Sequence, residues 1–315
     1  MIKTGASFLR TVSCGSRLCD TRSVMSRKLL LASLALQVAL AATAFAAPKM
    51  KALIVDGQNN HDWKSTTPVL KKDLEDSGLF QVDVATTPPK GGPMEQFKPG
   101  FAGYRVVVLN YVGDNWSEPV RAAFLDYVRK GGGVVVYHAA DNAFGDWPEF
   151  TEIVGLGGWV AWNEKSGPYL YWKDGKIVRD NSPGRAGNHG RQHAYQITVR
   201  DPKHPIMAGL PPVWMHAKDE LYDHMRGPAK NLTLLATAYS DPATRGSGRD
   251  EPLMFTISYG KGRIFHTMIG HDPSSMSCVG FIVTLQRGAE WAATGKVKQK
   301  VPADFPTATE VRTRP

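Results

Sequence analysis

All nine histidines of the chain follow residue 46, and five of them, His61, His138, His189, His193 and His271, sit in contexts that suit chemistry. Neutral imidazole is a common metal ligand and a general base near neutral pH. The run His189-Gly190-Arg191-Gln192-His193 spaces two imidazoles as a ligand pair would. On a helix both rings would share a face, but Gly190 and the strand-like run that follows place the pair in a loop. One structural and one exposed histidine is the plainer reading there. His271 follows an apolar run through Gly270, with Asp272 and Ser274 beside it as candidate helix caps. Asp219-Glu220 precedes a run expected to be a strand; a carboxylate there could bind a divalent metal, act as a base or hold a sugar hydroxyl, against the plainer reading of a solvated loop pair. There is no HExxH, paired CxxC, GxSxG or Walker loop. Gly131-Gly132-Gly133 precedes a strand and is turn chemistry, so no nucleotide cofactor is expected. Trp147, Trp159, Trp162 and Trp172 cluster in or beside an aperiodic stretch, Gly155 to Asn188, that reads as a long ordered insertion or loop near the site. Singly they read as packing residues; together they favour a carbohydrate, whose C–H faces suit aromatic rings.

These side chains need elements to hold them. Lys51–Gly57, Tyr104–Tyr111 and Val134–His138 are apolar runs that read as buried strands, and Phe80–Thr86 reads as a further strand. Helices are expected from Thr66 to Ser77, stopped by Gly78, and from Ser117 as a cap through Arg129. The second half reads as β-rich, with strands over His193–Arg200, Glu220–Met225, Leu232–Tyr239, Pro252–Tyr259 and Arg263–Ile269. The last two are a hairpin about Gly260-Lys261-Gly262, and a final helix covers Ser275–Thr294. Alternating strands and helices with continuous apolar strands make an α/β fold around a central parallel sheet. Ligands gather at the carboxyl ends of such strands. Three strand ends deliver polar groups to one rim: Asn59 to Trp63, Gly113 to Asn115, and His138 with Asp141 and Asn142.

The 315 residues are 42% hydrophobic and 21% charged, which excludes a disordered, collagen-like or multi-span membrane protein. The formal charge of +9 suggests nucleic acid, but residues 1–46 carry six of the basic residues and one acid. The remainder holds 32 basic and 28 acidic residues, a net charge of +4 without a long Lys/Arg run, and nucleic-acid binding is not expected. Within that leader, residues 25–46 read as a secretory signal: Arg27-Lys28, an apolar run from Leu29 to Ala42, and Ala44-Phe45-Ala46 before the cut. Cleavage after Ala46 predicts a periplasmic or secreted protein with no stable membrane span; an uncleaved anchor is the competing reading. Cys14 and Cys19 lie in the leader, so no intramolecular disulfide is expected, and Cys278 reads as a buried helix residue, not a nucleophile.

Six segments in order carry a family resemblance: HDW at His61–Trp63, GGGVVVYHAADNAFGDWPEF at Gly131–Phe150, HGRQH at His189–His193, HPIMAGLP at His204–Pro211, DELY at Asp219–Tyr222 and GKGRIFHTMIGHD at Gly260–Asp272. The chain resembles the ThuA-like, trehalose-utilisation family over about Lys51 to Gly295. The resemblance implies a flavodoxin-like, class I glutamine amidotransferase-like fold. Its central sheet is expected to be mostly parallel with helices on both faces, in a single domain over residues 47–295 followed by an extended tail over 296–315. It implies carbohydrate catabolism, with a trehalose-like or 3-keto sugar as the small-molecule partner. Amidotransferases of this fold place a cysteine at the turn after a central strand; Tyr137-His138-Ala139-Ala140 has none, so thiol-dependent amidotransfer is not expected.

The residues then divide into His138, His61 and Glu220 as catalytic, and Asp62, Trp63, Asp141, Asn142, Trp147 and Asp219 as substrate-binding. His189, His193, Glu220 and His271 are the expected ligands of a divalent metal, zinc first. The expected activity is of hydrolase, isomerase or lyase type, metal-assisted or by metal-free proton transfer. A non-catalytic sugar binder and a partner subunit of a sugar-oxidising system are the alternatives, and a homo-oligomer is left open.

Overall fold

The computed structural model describes residues 48–315; the secretory signal expected over 25–46, with Cys14 and Cys19, lies outside them. The chain runs β1 (Met50–Asp56), α1 (Trp63–Asp76), β2 (Phe80–Thr86), β3 (Val106–Leu109), α2 (Glu118–Arg129), β4 (Gly133–Tyr137) and α3 (Pro148–Val154). Next come β5 (Tyr169–Lys173), β6 (Lys176–Asp180), β7 (Asn188–His189), β8 (His193–Val199), β9 (Val213–Asp219) and β10 (Tyr222–Asp223). It ends with β11 (Leu232–Tyr239), β12 (Asp250–Tyr259), β13 (Gly262–Thr267), α4 (Pro273–Met276) and α5 (Val279–Thr294).

The main sheet follows the order β2-β1-β3-β4-β13-β12-β11-β8-β9. From β2 to β13 every neighbour pair is parallel. This is the flavodoxin-like order, with β13 as fifth strand and the chain reversing direction across the sheet between β1 and β3. From β13 onward the pairs are antiparallel; β12 and β13 are joined by a tight hairpin and the other links are longer loops without helical crossovers. The sheet is parallel over its flavodoxin-like strands and antiparallel over the β-rich second half that the sequence indicates. α1 and α5 share one face, where the Gln286 amide donates to the Asp73 carbonyl at 2.7 Å. α2 and α3 cover the other, where Phe124 meets Trp147 and Phe150, both with ring centroids 6.4 Å away.

Differences from the sequence reading have local causes. α1 starts at Trp63, so Pro68 lies inside it and not at its first turn. Ser117 flanks α2 without a side-chain capping bond. The final helix is broken at Cys278, whose extended backbone starts α5, so this buried residue is a helix junction. The aperiodic stretch holds a hairpin, β5 with β6. The last 20 residues lack regular structure yet pack down: Val279 N–H donates to the Arg312 carbonyl at 2.8 Å, and Phe305 is buried against Trp214. Among the described residues no helix is long and apolar enough to cross a membrane.

The α5–β13 contact is close because residue 288 is glycine: a Cβ there would run into the Phe265 ring. Gly288→Ala gains about 1 kcal/mol of helix propensity and loses it to overpacking that costs about 1–3 kcal/mol. A lower thermal midpoint is expected; a higher one would show that the helix stands off the sheet.

Candidate functional site

Five segments converge at the carboxyl end of the parallel strands. The β1–α1 loop brings His61, whose backbone N–H is held by Asn59 Oδ1 at 3.0 Å, while Asn59 donates to Asn110 after β3 at 3.0 Å. β4 delivers His138 on a sharp turn with a φ of 45°, the left-handed conformation that a nucleophile elbow uses to present its side chain. The β9–β10 link supplies Glu220, β7 supplies His189, and the segment between β13 and α4 supplies His271.

Glu220 is the common neighbour. Its Oε2 lies 3.7 Å from His138 Nε2, and its Oε1 lies 3.4 Å from His271 Nε2 and 3.7 Å from His189 Nε2. The His61 ring centroid is 4.8 Å from that of His138 and 4.7 Å from that of His271. One ligand atom each from His61, His138 and Glu220 lie within 4.8 Å of one another, a set that could hold a metal ion. His138 and Glu220 are buried, His61 is half-buried, and His189 and His271 form the rim with side chains 38% and 24% exposed. His138 Nδ1–H donates to the Met268 carbonyl at 2.7 Å, which leaves Nε2 as the free nitrogen aimed at the centre.

The charges follow from this packing. Burial first, then the charge of His138, pushes His61 down to about 3, so its imidazole is neutral at physiological pH. For His138 burial opposes the charge, but Glu220, Asp219 and the Met268 carbonyl outweigh it and raise the pKa. For Glu220 burial favours the acid, but the surrounding imidazoles, His138 foremost, hold it below the usual carboxylate range.

Asp219 points the other way. It is buried, and its carboxylate takes His216 Nε2 at 2.8 Å and the backbone N–H groups of Glu220 at 2.8 Å, Gly270 at 2.6 Å and His271 at 3.1 Å. Burial opposes the charge on both partners, yet their contact lowers Asp219 and raises His216 to about 9. Asp219 therefore organises the site and has no free atom for substrate, which corrects the binding role expected from sequence. Asp141 is likewise buried, its Oδ2 3.2 Å from His266 Nε2, and Asn142 is buried beside it. Trp147 lies in the aromatic core under the Arg121 guanidinium, 4.4 Å from its ring. His193 turns its Nδ1 to the Arg191 carbonyl at 2.8 Å and does not join the cluster; Gln192 instead reaches His271 Nδ1 at 3.4 Å.

Two expected binding residues do face open space. Asp62 is exposed, and half-buried Trp63 lines a cleft of about 830 Å³ with Asn60, Lys64, Lys90 and Val160. The cleft abuts the centre through Asn60, whose Nδ2 is 3.3 Å from His61 Nε2. Tyr222 was not singled out from sequence. Its hydroxyl lies 3.0 Å from His138 Nε2 and 3.2 Å from His61 Nε2. Its position two residues after Glu220 in an extended segment, hence on the same side, was the available signal. Trp159 packs edge-on against it at 4.9 Å.

The sequence profile described as ThuA, trehalose utilisation, matches residues 51–292. A ThuA-like protein from Parabacteroides merdae is 57% identical, with a TM-score of 0.83 over 85% of this chain and 98% of that one. A ThuA-like protein from Bacteroides uniformis, 20% identical, shares the fold with a TM-score of 0.52 over 80% of this chain and 94% of that one. No curated protein matches the chain.

Asp219→Asn leaves His216 buried without its counter-charge, and breaking such a pair costs about 3–5 kcal/mol. Denaturant unfolding is expected to show a loss of that order. A change within about 0.5 kcal/mol, as at ordinary surface positions, would contradict the organising role.

Proposed function

The chain belongs to the ThuA trehalose-utilisation family, and from that premise we propose that it is an exported carbohydrate-processing enzyme whose centre, His61, His138 and Glu220, holds a divalent cation. The observation that carries the reading is the convergence of two imidazoles and one carboxylate, from three separate chain segments, on one buried point. The donor set fits a cation of the zinc type: His61 is neutral, His138 has its second nitrogen committed to a backbone carbonyl, and Glu220 has no lysine or arginine partner among the described residues.

A divalent cation held there supplies Lewis acidity to an oxygen of the sugar. The chain's own groups supply the rest. The cleft beside His61 takes the apolar face of a sugar ring on Trp63, and the Asn60 amide meets its hydroxyls. His189 and His271 flank Glu220 Oε1 at the rim, where they orient substrate hydroxyls and Oε1 takes up or returns a proton. The family's sugar association and the carbonyl-polarising character of the centre favour a 3-keto or trehalose-like substrate and chemistry of the hydrolase, isomerase or lyase type. The signal-like segment at residues 25–46 supports export.

A second reading is favoured by the His138–Glu220 contact at 3.7 Å: the pair shuttles protons without a cation. Elemental analysis of tag-free protein separates the two. Near-stoichiometric zinc or another divalent ion, lost in Glu220→Gln, with sugar conversion abolished by chelator, is expected. Full conversion of a 3-keto disaccharide by metal-free protein would refute the cation and leave the proton shuttle.

A further inference from the structure

Tyr222 sits against both imidazoles of the His61–His138–Glu220 group. Its hydroxyl is within hydrogen-bond distance of both Nε2 atoms, 3.0 Å from His138 and 3.2 Å from His61, and has no other partner among the described residues. The ring is fixed on two sides. It stacks on His138 with centroids 4.5 Å apart and planes at 29°, and Trp159 meets it edge-on at 4.9 Å. That indole is held by a backbone in the left-handed region at both Trp159 and Val160, a conformation costly for such residues.

We propose that Tyr222 sets the cation affinity of this centre: its hydroxyl holds the two imidazoles together in the cation-free protein and must release both when a cation binds. The inference rests on the cation reading above. The hydroxyl carries one proton, so it donates to one Nε2 and accepts an N–H from the other, and in either role that nitrogen is not open to a cation; His138 has only Nε2 to offer because Nδ1–H is spent on Met268. Hydroxyl and cation therefore compete for the same atoms. The hydrogen bonds keep the rings in a ligating arrangement before loading and are given up on loading, so the residue trades affinity for preorganisation.

Tyr222→Phe keeps the ring, the stack and the Trp159 contact and removes the hydroxyl, while the Asn60 amide stays 3.3 Å from His61 Nε2 in both proteins. Zinc affinity of tag-free wild type and variant would be measured by competition with a chromophoric chelator, with His61→Ala in each background to assign binding to this centre. Roughly tenfold tighter binding by the variant is expected, since each released hydrogen bond is individually modest. Binding by the variant alone is the same effect at its extreme. Equal or weaker binding by the variant would overturn the proposal, weaker binding marking the hydroxyl as a ligand. If neither binds zinc, the cation reading fails and this inference with it. Should the variant not fold, the near-ultraviolet tyrosine band of wild type decides: it is expected to shift on zinc addition, and an unchanged band would overturn the proposal.

Discussion

The site depends on one buried carboxylate. Asp219 gathers His216 from its own strand, the N–H of the adjacent Glu220 and the N–H groups of Gly270 and His271 from a segment distant in sequence. Its four donors include the N–H groups of Glu220 and His271, so a single charge fixes where both site residues start. The charge is tolerated out of water because every donor is aimed at it and one of them, His216, is itself held protonated. Glu220, next in sequence, then projects to the opposite side and into the cluster of imidazoles.

The sheet supplies the other half of the arrangement. His138 stands on a strained turn at the end of β4, and β13 and the residue after it pin that turn twice: the carbonyl of Met268, just past β13, takes its Nδ1–H, and His266 of β13 lies against Asp141 three residues further on. Tyr137 adds a third tie by donating its hydroxyl to the Gly270 carbonyl. The antiparallel half of the sheet brings β9 and the short β7–β10 pair across the same rim, with Tyr222 paired to His189. The parallel half alone would present His61, His138 and, after β13, His271; the antiparallel half adds the Glu220 carboxylate and His189.

Much of this was legible in the sequence, for reasons that differ by residue. Phe80–Thr86 and Leu232–Tyr239 match the structure to the residue because the first alternates apolar and polar residues and the second is largely apolar, each bounded by turn residues. Val213–Asp219 was missed because its buried His216 and Asp219 look like loop polarity until their pairing is known. The strand-end rule pointed to His61 and His138. It could not separate His189 from His193, since the direction of each ring is set by where β7 ends and β8 begins. Nor could it tell Asp219 from Glu220: adjacent residues of an extended chain face opposite ways, and only tertiary packing says which way is inward. Trp147 reads as a sugar platform by composition and is core by contact with α2 and α3.

The most direct test of the account is anomalous diffraction from crystals grown with zinc. The account predicts one strong peak bonded by Nε2 of His61, Nε2 of His138 and a Glu220 oxygen, each at about 2.0–2.2 Å. An empty centre at full zinc saturation, or a peak held only by the rim residues His189 and His271, would contradict it.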